Sequence, residues 1–356
     1  MSVRVAYSTG FWCTNIGNSF FSLGVEYALK QVLGSENVTL VSDYQTYTTA
    51  YGKRLYPHKN QLDYISNLDI DYLVLAGPVI SRYFLLLWKD ILLNLKKRGI
   101  GYIVLSAGTM KIDETSKQEV ITFFEECPPF IFVSREHETY EAYGKYAVNS
   151  YDGICFSFFT PDYYSPCRID FGCSYWVSNF DKTIEPEIWI GNSDKKHTHE
   201  FDFEGESYYV NSPNSASKKT DRFTDALIYI QSILPAPHRP DRIGDYMIVR
   251  TDNRFHPHFR NKIYSLNNSF CADVPYGYIN LYANSKLTLS DRVHSCAVTL
   301  AFGHSAMLFV KTNRIGLLER VGAENITNKP VSIDLEALAV EKNNMINWLK
   351  SVLVIG

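Results

Sequence analysis

The sequence predicts an α/β protein with two doubly wound domains that face each other across a cleft. Short β-branched segments alternate with longer amphipathic segments through the first half of the chain, and the same alternation returns in its last third. Strands spaced by helices of this length are typical of parallel sheets. A length of 356 residues is typical of two domains. With 46% hydrophobic and 21% charged residues, both domains can fill a core.

The first half contains a regular series of predicted strands and helices. Glycine or proline follows most of the helical segments, which is where helices commonly end. The strands are predicted at residues 3–9, 38–43, 71–77, 100–108, 130–135 and 153–159, and the helices at 19–32, 83–97, 115–126 and 136–143. Because ligands of such sheets bind beyond the carboxyl ends of the strands, a site is expected within 9–18, 77–81, 107–110 and 135–137.

The alternation breaks between residues 163 and 244. Pro, Asn, Asp and Ser cluster there, as in 211–221, so this segment is predicted to connect the domains, with a few strands and one helix near 223–233. Beyond it, strands are predicted at 246–252, 286–291 and 305–311, and helices at 276–284, 293–302, 315–321 and 335–352. The predicted units are therefore 1–162, 163–244 and 245–356.

Composition and charge argue against several classes of protein. The net charge is −3 and there is no long basic run, which argues against nucleic acid as a partner. The seven cysteines are odd in number and form no CxxC pair, so reduced thiols and a cytoplasmic location are expected. The first ten residues are too short an apolar stretch for a signal peptide. The most apolar region, 72–93, contains Arg82, Lys89 and Asp90 and does not read as a membrane span.

The densest local signal lies in residues 287–311. A predicted strand ends at Ser290 and Asp291, and Arg292 and His294 follow at the start of a helix. A helix N-terminus favours anions, and an arginine offers a planar fork to phosphate or carboxylate. Histidine can act as an acid near neutral pH. The pattern predicts an anion site with a proton donor, although a surface arginine beside a helix-capping histidine has the same spacing.

A strand, Ser-x-Arg-x-His, an alanine-containing helix, a glycine and an apolar strand ending near a lysine resemble the C-terminal signature of polysaccharide pyruvyltransferases. Earlier segments resemble that family in the same order. They are STGFWCTNIGNSFFSLGVEYAL, with its turn at Asn15-Ile16-Gly17-Asn18, LVLAG, IVLSAGTM, FVSREHETYEAYG and GICFSFFTPD. The resemblance covers most of 1–162 and 246–321. The family's usual acidic residue is Asn18 here, Gly77-Pro78 stands where a glycine-rich turn is common, and Gly303-His304-Ser305 replaces Gly-x-Pro.

The resemblance implies Rossmann-like domains in a GT-B-like fold, with phosphoenolpyruvate as donor. Pyruvate would be transferred to a sugar of a cell-surface polysaccharide, such as a capsule, exopolysaccharide or cell-wall polymer, or of its lipid-linked precursor, forming a ketal. The donor-binding pattern falls on Arg135, Arg292, Val293, His294 and, less closely, Lys311, and the acceptor side falls on Asn15, Gly17 and Asn18.

The implied chemistry suits these residues. Arg135 and Arg292 would clamp the phosphate and the carboxylate of phosphoenolpyruvate from opposite walls of the cleft. His294 would be the acid that protonates the methylene carbon, or a phosphate contact that helps phosphate leave. No metal or cofactor is required. Peripheral association with membrane-bound glycan assembly and a homo-oligomeric state are compatible with this scheme.

Two other interpretations stay open at this point. A nucleotide-sugar glycosyltransferase of the same architecture would need a diphosphate and nucleobase site in the second domain, and no acidic ribose ligand is evident there. A non-catalytic glycan-binding relative is the other, against which the presence of both Arg292 and His294 argues.

Other polar and aromatic clusters are weaker signals. The residues His197, His199, Glu200, Asp202, Glu204, His256 and His258 lack metal-ligand spacing, and Cys167 and Cys173 are expected to be unpaired thiols. Aromatic faces suit sugar rings, so an acceptor groove or ordinary packing would explain Tyr44, Tyr47, Tyr51, Tyr163 and Tyr164.

Overall fold

The first sheet has six parallel strands in the order β2-β1-β3-β4-β5-β6. A computed structural model describes residues 2–10, 15–110, 112–212, 239–253 and 262–354. The strands are β1 Val5–Thr9, β2 Val38–Ser42, β3 Tyr72–Ala76, β4 Gly101–Ala107, β5 Ile131–Ser134 and β6 Asn149–Asp152. The helices between them are α1 Gly17–Leu33, α2 Tyr44–Leu55, α3 Phe84–Lys97, α4 Glu114–Glu126 and α5 His137–Tyr143, and α6 is Thr160–Tyr163.

The central strands are apolar along their whole length because both faces of the sheet are covered. Successive residues of a strand point to opposite faces. Val74 of β3 accordingly packs into the cluster that contains α1, whereas Leu73 and Leu75 pack into the one that contains α3 and α4. The predicted α/β alternation of the first half is confirmed.

The second sheet has the order β11-β12-β7-β14-β15, with β13 paired to β12. Its strands are β7 Tyr175–Asn179, β11 Arg242–Ile243, β12 Tyr246–Thr251, β13 Ser269–Phe270, β14 Leu287–Ser290 and β15 Ser305–Leu308. Strands β12, β7, β14 and β15 are parallel. The helices are α7 Tyr276–Asn284, α8 Val293–Ala301, α9 Gly316–Glu319 and α10 Leu335–Leu353. The fold is thus α/β with two Rossmann-like domains, as the sequence predicts.

Strand β7 lies in the segment predicted to connect the domains, yet it pairs between β12 and β14 of the second sheet. The same segment forms an antiparallel sheet of β8 Glu187–Ile190, β9 His199–Phe203 and β10 Glu206–Asn211. The predicted helix near 223–233 lies outside the described residues. The domain boundaries stay a prediction, but the loop after β7 reaches the carboxyl edge of the second sheet.

One predicted strand is wrong. Residues 153–159 contain a 3₁₀ helix, Phe156–Phe159, and the edge strand of the sheet is β6 just before it. The side chains of Phe156, Phe158 and Phe159 are all buried. A short run of apolar residues does not distinguish a buried strand from a buried turn, which explains the error.

Helix α1 lies between the two domains, which explains why most of its side chains are buried. Phe21, Val25 and Leu29 pack in the core of the first sheet. Ile16 and Phe20 pack with residues of β7, β12 and α7 from the second domain. Helix α1 thus meets apolar cores on two sides, as expected of a helix buried between two layers. Its position holds the carboxyl ends of the two sheets close together.

Helix α10 returns from the second domain to the first. Met345 and Leu349 belong to the core of the first sheet, and the Trp348 ring lies 5.1 Å from that of Tyr151. Within the described residues, no helix combines the length and the apolar character that crossing a bilayer requires.

Gly24 of α1 is required by close packing. A Cβ atom at this position would lie 1.8 Å from the carbonyl oxygen of Phe156. We expect Gly24→Ala to lower the free energy of unfolding by about 1–3 kcal/mol, because the 3₁₀ helix must move away. Urea unfolding measures this. Gly316→Ala is the control, since a Cβ there meets Glu136 at an ordinary 3.5 Å, and equal stability of the two variants would contradict the prediction.

Candidate active site

Arg135 follows β5 directly and is fully buried. Its Nη1 atom lies 3.4 Å from Nε2 of His294, which follows β14 of the other domain. A guanidinium can only donate, so Nε2 accepts in this contact. The Nε and Nη2 atoms of Arg135 are buried and have no hydrogen-bond partner among the described residues. Gly108, after β4, leaves the space for this guanidinium, since a Cβ there would lie 2.4 Å from Nε.

Arg292 is the residue before α8 and is held by carboxylates of the second domain. Its Nε and Nη2 atoms donate to the two carboxylate oxygens of Asp181, which follows β7. Asp291 accepts from the backbone amides of Lys182 and Thr183, each at 2.7 Å. These two aspartates therefore fix both the guanidinium of Arg292 and the loop 181–183.

Two further cations, Lys182 and Arg314, act on His294. Neither of them was singled out from the sequence. Lys182 is next to Asp181, and burial, then Arg292 and Arg314, lower the pKa of its amine. Arg314 lies in the segment after β15. Burial and then Arg135 lower the pKa of Arg314 to about 10, against the opposing effect of Glu136. The pKa of each is thus lowered by other cations of the cluster.

Of the five residues in the predicted donor pattern, three lie together in the structure and two do not. Lys311 is exposed, and Arg314, three residues further along, is the basic residue after β15 whose charge acts on His294. Val293 is buried, and its side chain packs in the core cluster that spans both domains. Arg135, Arg292 and His294 are brought together across the interface.

The His294 side chain is buried in this cationic cluster. Burial, followed by the charges of Arg135, Arg314, Lys182 and Arg292, holds its pKa well below 6.5. The imidazole is therefore neutral in the unliganded protein at neutral pH. A bound dianion would offset the surrounding positive charge and so act to raise the pKa of His294, against the effect of burial.

The lowered pKa of His294 predicts a pH-dependent stability. Unfolded histidine titrates near 6.5 and the folded side chain well below it, so the unfolded state binds the proton first and stability is lost as pH falls below about 6.5. His294→Gln cannot titrate. Relative to this variant, we expect the wild-type free energy of unfolding to fall by up to about 1.4 kcal/mol per pH unit. Urea unfolding from about pH 8 to about pH 5 measures it, and parallel pH profiles would contradict it.

The predicted acceptor turn lies against His294. Gly17 donates its amide to Oδ1 of Asn15 at 3.2 Å, and Asn15 donates to Oδ1 of Asn18 at 3.2 Å. A Cβ on Gly17 would lie 3.5 Å from Cβ of His294. Asn15 and Asn18 also line a cleft of about 480 Å³ that Arg314 lines as well. The turn therefore joins the cationic cluster to this cleft.

The cleft opens beyond the carboxyl ends of β1 to β3. Its lining includes residues of the predicted segments 9–18, 77–81 and 107–110, and adds residues of α2 and α3 that those segments did not include. Of the tyrosines considered for an acceptor groove, Tyr47 and Tyr51 line it. Tyr163 and Tyr164 instead pack against the core around α7, and Tyr44 is exposed.

The acidic and histidine-rich segment lies elsewhere, on β9 and the residues before it. In the described part of the chain, no three His, Cys, Asp or Glu side chains are placed to hold one metal ion. His256 and His258 lie outside the described residues. The described cysteines, Cys167 and Cys173 among them, are free thiols.

Solved structures of similar overall shape include MnaA of S. aureus solved with UDP (9% identity, covering 99% of this chain and 90% of that one, TM-score 0.49). A putative UDP-N-acetylglucosamine 2-epimerase from Listeria monocytogenes has 11% identity, the same coverages and a TM-score of 0.49. The UDP-GlcNAc 2-epimerase of Methanocaldococcus jannaschii has 13% identity, coverages of 98% and 93% and a TM-score of 0.47.

A search of curated protein sequences finds no match. A family model, described as polysaccharide pyruvyl transferase, matches residues 15–309, which include Arg135, Arg292 and His294. The chain therefore belongs to the polysaccharide pyruvyl transferase family.

Proposed function

We propose that this protein transfers pyruvate from phosphoenolpyruvate to a sugar of a cell-surface polysaccharide or of its lipid-linked precursor, forming a pyruvate ketal. The observation that carries the proposal is the buried guanidinium of Arg135, two of whose nitrogens have no partner among the described residues. An unpaired buried cation is costly to the fold. An anionic ligand that brings two charged groups would supply the missing acceptors.

Phosphoenolpyruvate brings a phosphate and a carboxylate on one small carbon frame. Arg135 would bind one of these groups, and Lys182 and Arg314 would bind the other, while Asp181 holds Arg292 at the edge of the site. The N-terminus of α8 adds backbone amides that favour an anion. Because this cluster is enclosed between the domains, its charges act on the ligand more strongly than exposed charges would.

The proposed reaction adds two sugar hydroxyls to one carbon. His294, protonated once the phosphate is bound, gives its proton to the methylene carbon, and the carbon that bears the phosphate becomes oxocarbenium-like. The first hydroxyl oxygen bonds to that carbon and loses its proton. The bond to phosphate then breaks, phosphate leaves, and the second hydroxyl closes the ketal. One hydroxyl proton returns to His294 and replaces the proton that His294 gave to the methylene carbon. The other hydroxyl proton leaves with phosphate.

The proposal places the activity in the cytoplasm. A lipid-linked acceptor would bring the protein into peripheral contact with the membrane-bound machinery of glycan assembly. A homo-oligomeric state is compatible with the proposal, which does not depend on it.

Phosphate release from phosphoenolpyruvate, measured with and without candidate oligosaccharides, tests the proposal. We expect release that depends on the acceptor, and a loss of about 10²–10⁴-fold in His294→Ala, with a comparable loss in Arg292→Ala. Failure of the intact protein to bind phosphoenolpyruvate would overturn the proposal. Binding of a nucleotide sugar instead would favour a glycosyltransferase.

Arg314 and Lys311 provide a matched comparison within one loop. We expect Arg314→Ala to raise the KM for phosphoenolpyruvate by about 10- to 100-fold, because it removes a partly desolvated charge from the anion site. Lys311→Ala removes an exposed charge and should have a much smaller effect. Steady-state kinetics at fixed ionic strength measure both, and a larger effect of Lys311→Ala would reverse this assignment.

A further inference from the structure

Asp43 stands at the start of α2, where β1 and β2 end side by side. Its amide donates to the carbonyl oxygen of Thr9 at 3.1 Å. Aspartate at such a position usually caps the helix, but the Asp43 side chain makes no capping hydrogen bond. Ser42 accepts from the amide of Tyr44 at 3.2 Å instead. The carboxylate of Asp43 therefore does not form the capping hydrogen bond that its position would allow.

This carboxylate faces the cleft described above. Its Oδ1 atom is buried and accepts no hydrogen bond within the described residues, and the same holds for Oγ of Ser8 on β1. Both residues line the cleft. A buried acceptor without a donor is costly. A ligand hydroxyl in the cleft would supply the donor that Asp43 lacks.

The cleft has the lining that a sugar ring requires. Small polar side chains stand beside aromatic ones, which offer apolar faces to the C–H groups of a pyranose while hydroxyl and amide groups bind its hydroxyls. The aromatic members are Tyr7, Phe21, Tyr47, Tyr51, Tyr83 and Trp88, and the polar ones include Ser8, Thr9, Asn15, Asn18 and Ser81. No lysine or histidine lines the cleft among the described residues, and Arg314 stands at the end that meets the donor cluster.

We infer that this cleft is the acceptor subsite for a terminal neutral hexose, and that Asp43 is the base that takes the proton of an attacking hydroxyl. The inference rests on the proposed function. As the hydroxyl oxygen bonds to the pyruvyl carbon, its proton passes to the carboxylate of Asp43. The carboxylic acid then returns this proton to the leaving phosphate or to solvent, which restores the base.

The ionisation of Asp43 is consistent with this role. Burial raises the pKa of Asp43 to about 6, although the backbone amides of Asp43 and Tyr44 favour its ionised form. Among the described residues, Tyr7 and Tyr47 have pKa values that are raised chiefly by burial and further by the charge of Asp43; Tyr51, Tyr83 and Arg314 also line the cleft. Tyr7 also feels Glu26, which is paired with Lys30 at 2.5 Å. Asp43 is therefore ionised but poorly solvated at neutral pH, as a base should be.

Asp43→Asn in the full chain tests the inference, because it keeps the volume and removes the base. We expect it to bind phosphoenolpyruvate with wild-type affinity in calorimetry and to lower acceptor-dependent kcat by about 10²-fold or more. The wild-type fall in kcat/KM for the acceptor below about pH 6 should disappear in the residual activity. Asp90→Asn, an exposed carboxylate paired with Lys53, should behave as wild type. A full rate with an unchanged acid limb in Asp43→Asn would overturn the inference.

A second readout does not depend on phosphoenolpyruvate. Saturation-transfer NMR with methyl hexosides of galacto, gluco and manno configuration should show binding to the wild type and loss of binding in Tyr47→Ala. If sugar binding is present but phosphoenolpyruvate does not bind, the proposed function fails while the subsite stands. If phosphoenolpyruvate is turned over but Tyr47→Ala leaves sugar binding and the KM for the acceptor unchanged, the subsite is wrong.

Discussion

Arg135→Met is expected to weaken phosphoenolpyruvate binding strongly while making the unliganded protein more stable. The guanidinium is fully buried, and two of its nitrogens have no hydrogen-bond partner among the described residues. Its desolvation is therefore not compensated in the unliganded protein. Methionine keeps much of the aliphatic stem and removes the charge. We expect the free energy of unfolding to rise by about 1–3 kcal/mol. Urea unfolding without ligand measures this change.

The effect on the donor should have the opposite sign. Truncating one partner of a buried charge pair costs about 2–5 kcal/mol, so kcat/KM for phosphoenolpyruvate should fall by about 10²–10³-fold or more in Arg135→Met. Substitutions in a binding site often raise stability while they remove function, because the site holds a buried polar group whose hydrogen bonds are completed only by the ligand. Unchanged binding of phosphoenolpyruvate by Arg135→Met would contradict the proposed donor site.

Gly108→Ala is the matched control for Arg135→Met. Its Cβ would lie 2.4 Å from Nε of Arg135 and should displace the guanidinium without removing its charge. We therefore expect weaker phosphoenolpyruvate binding with no gain in stability. If Gly108→Ala were stabilised as much as Arg135→Met, the stabilisation would come from repacking near β4 and not from loss of the buried charge.

The sequence predicted the parts of this site that follow regular strands. Arg135 and His294 come directly after apolar strands in the two predicted sheets, and the rule that ligands bind at carboxyl ends brings such residues together. The order of motifs then connected them to a family. Arg314 lay in the same loop as Lys311, and only the path of the chain after β15 shows which of the two faces His294.

Lys182 and Asp181 could not be found in this way. They follow β7, a five-residue strand in a segment where turn-forming residues interrupt the alternation. Its place between β12 and β14 depends on pairing with residues far along the chain, which local patterns do not reveal. Helix α2, which contributes Tyr47 and Tyr51 to the cleft, was not predicted for a similar reason, because it has few apolar residues to mark its buried side.

Asp181→Ala is expected to destabilise the protein and to inactivate it together. The Asp181 side chain is only 1% exposed and accepts both hydrogen bonds from the Arg292 guanidinium, which is 10% exposed. Removing one partner of a buried ion pair leaves the other charge uncompensated, at a cost of about 3–5 kcal/mol. Urea unfolding should show this loss. Phosphate release should fall at least as far as in Arg292→Ala, because Arg292 and Lys182 both lose their position.

The double variant Asp181→Ala/Arg292→Met separates the two causes. Replacing both members of a buried ion pair with apolar side chains is often nearly neutral for stability, so the double variant should recover most of the stability lost in Asp181→Ala. It should not recover activity, because the anion site then lacks Arg292. A double variant as unstable as the single one would instead assign the loss to collapse of the loop 181–183, whose amides bind Asp291. Recovery of stability without activity would mean that Asp181 serves the fold chiefly by holding a cation that the donor site requires.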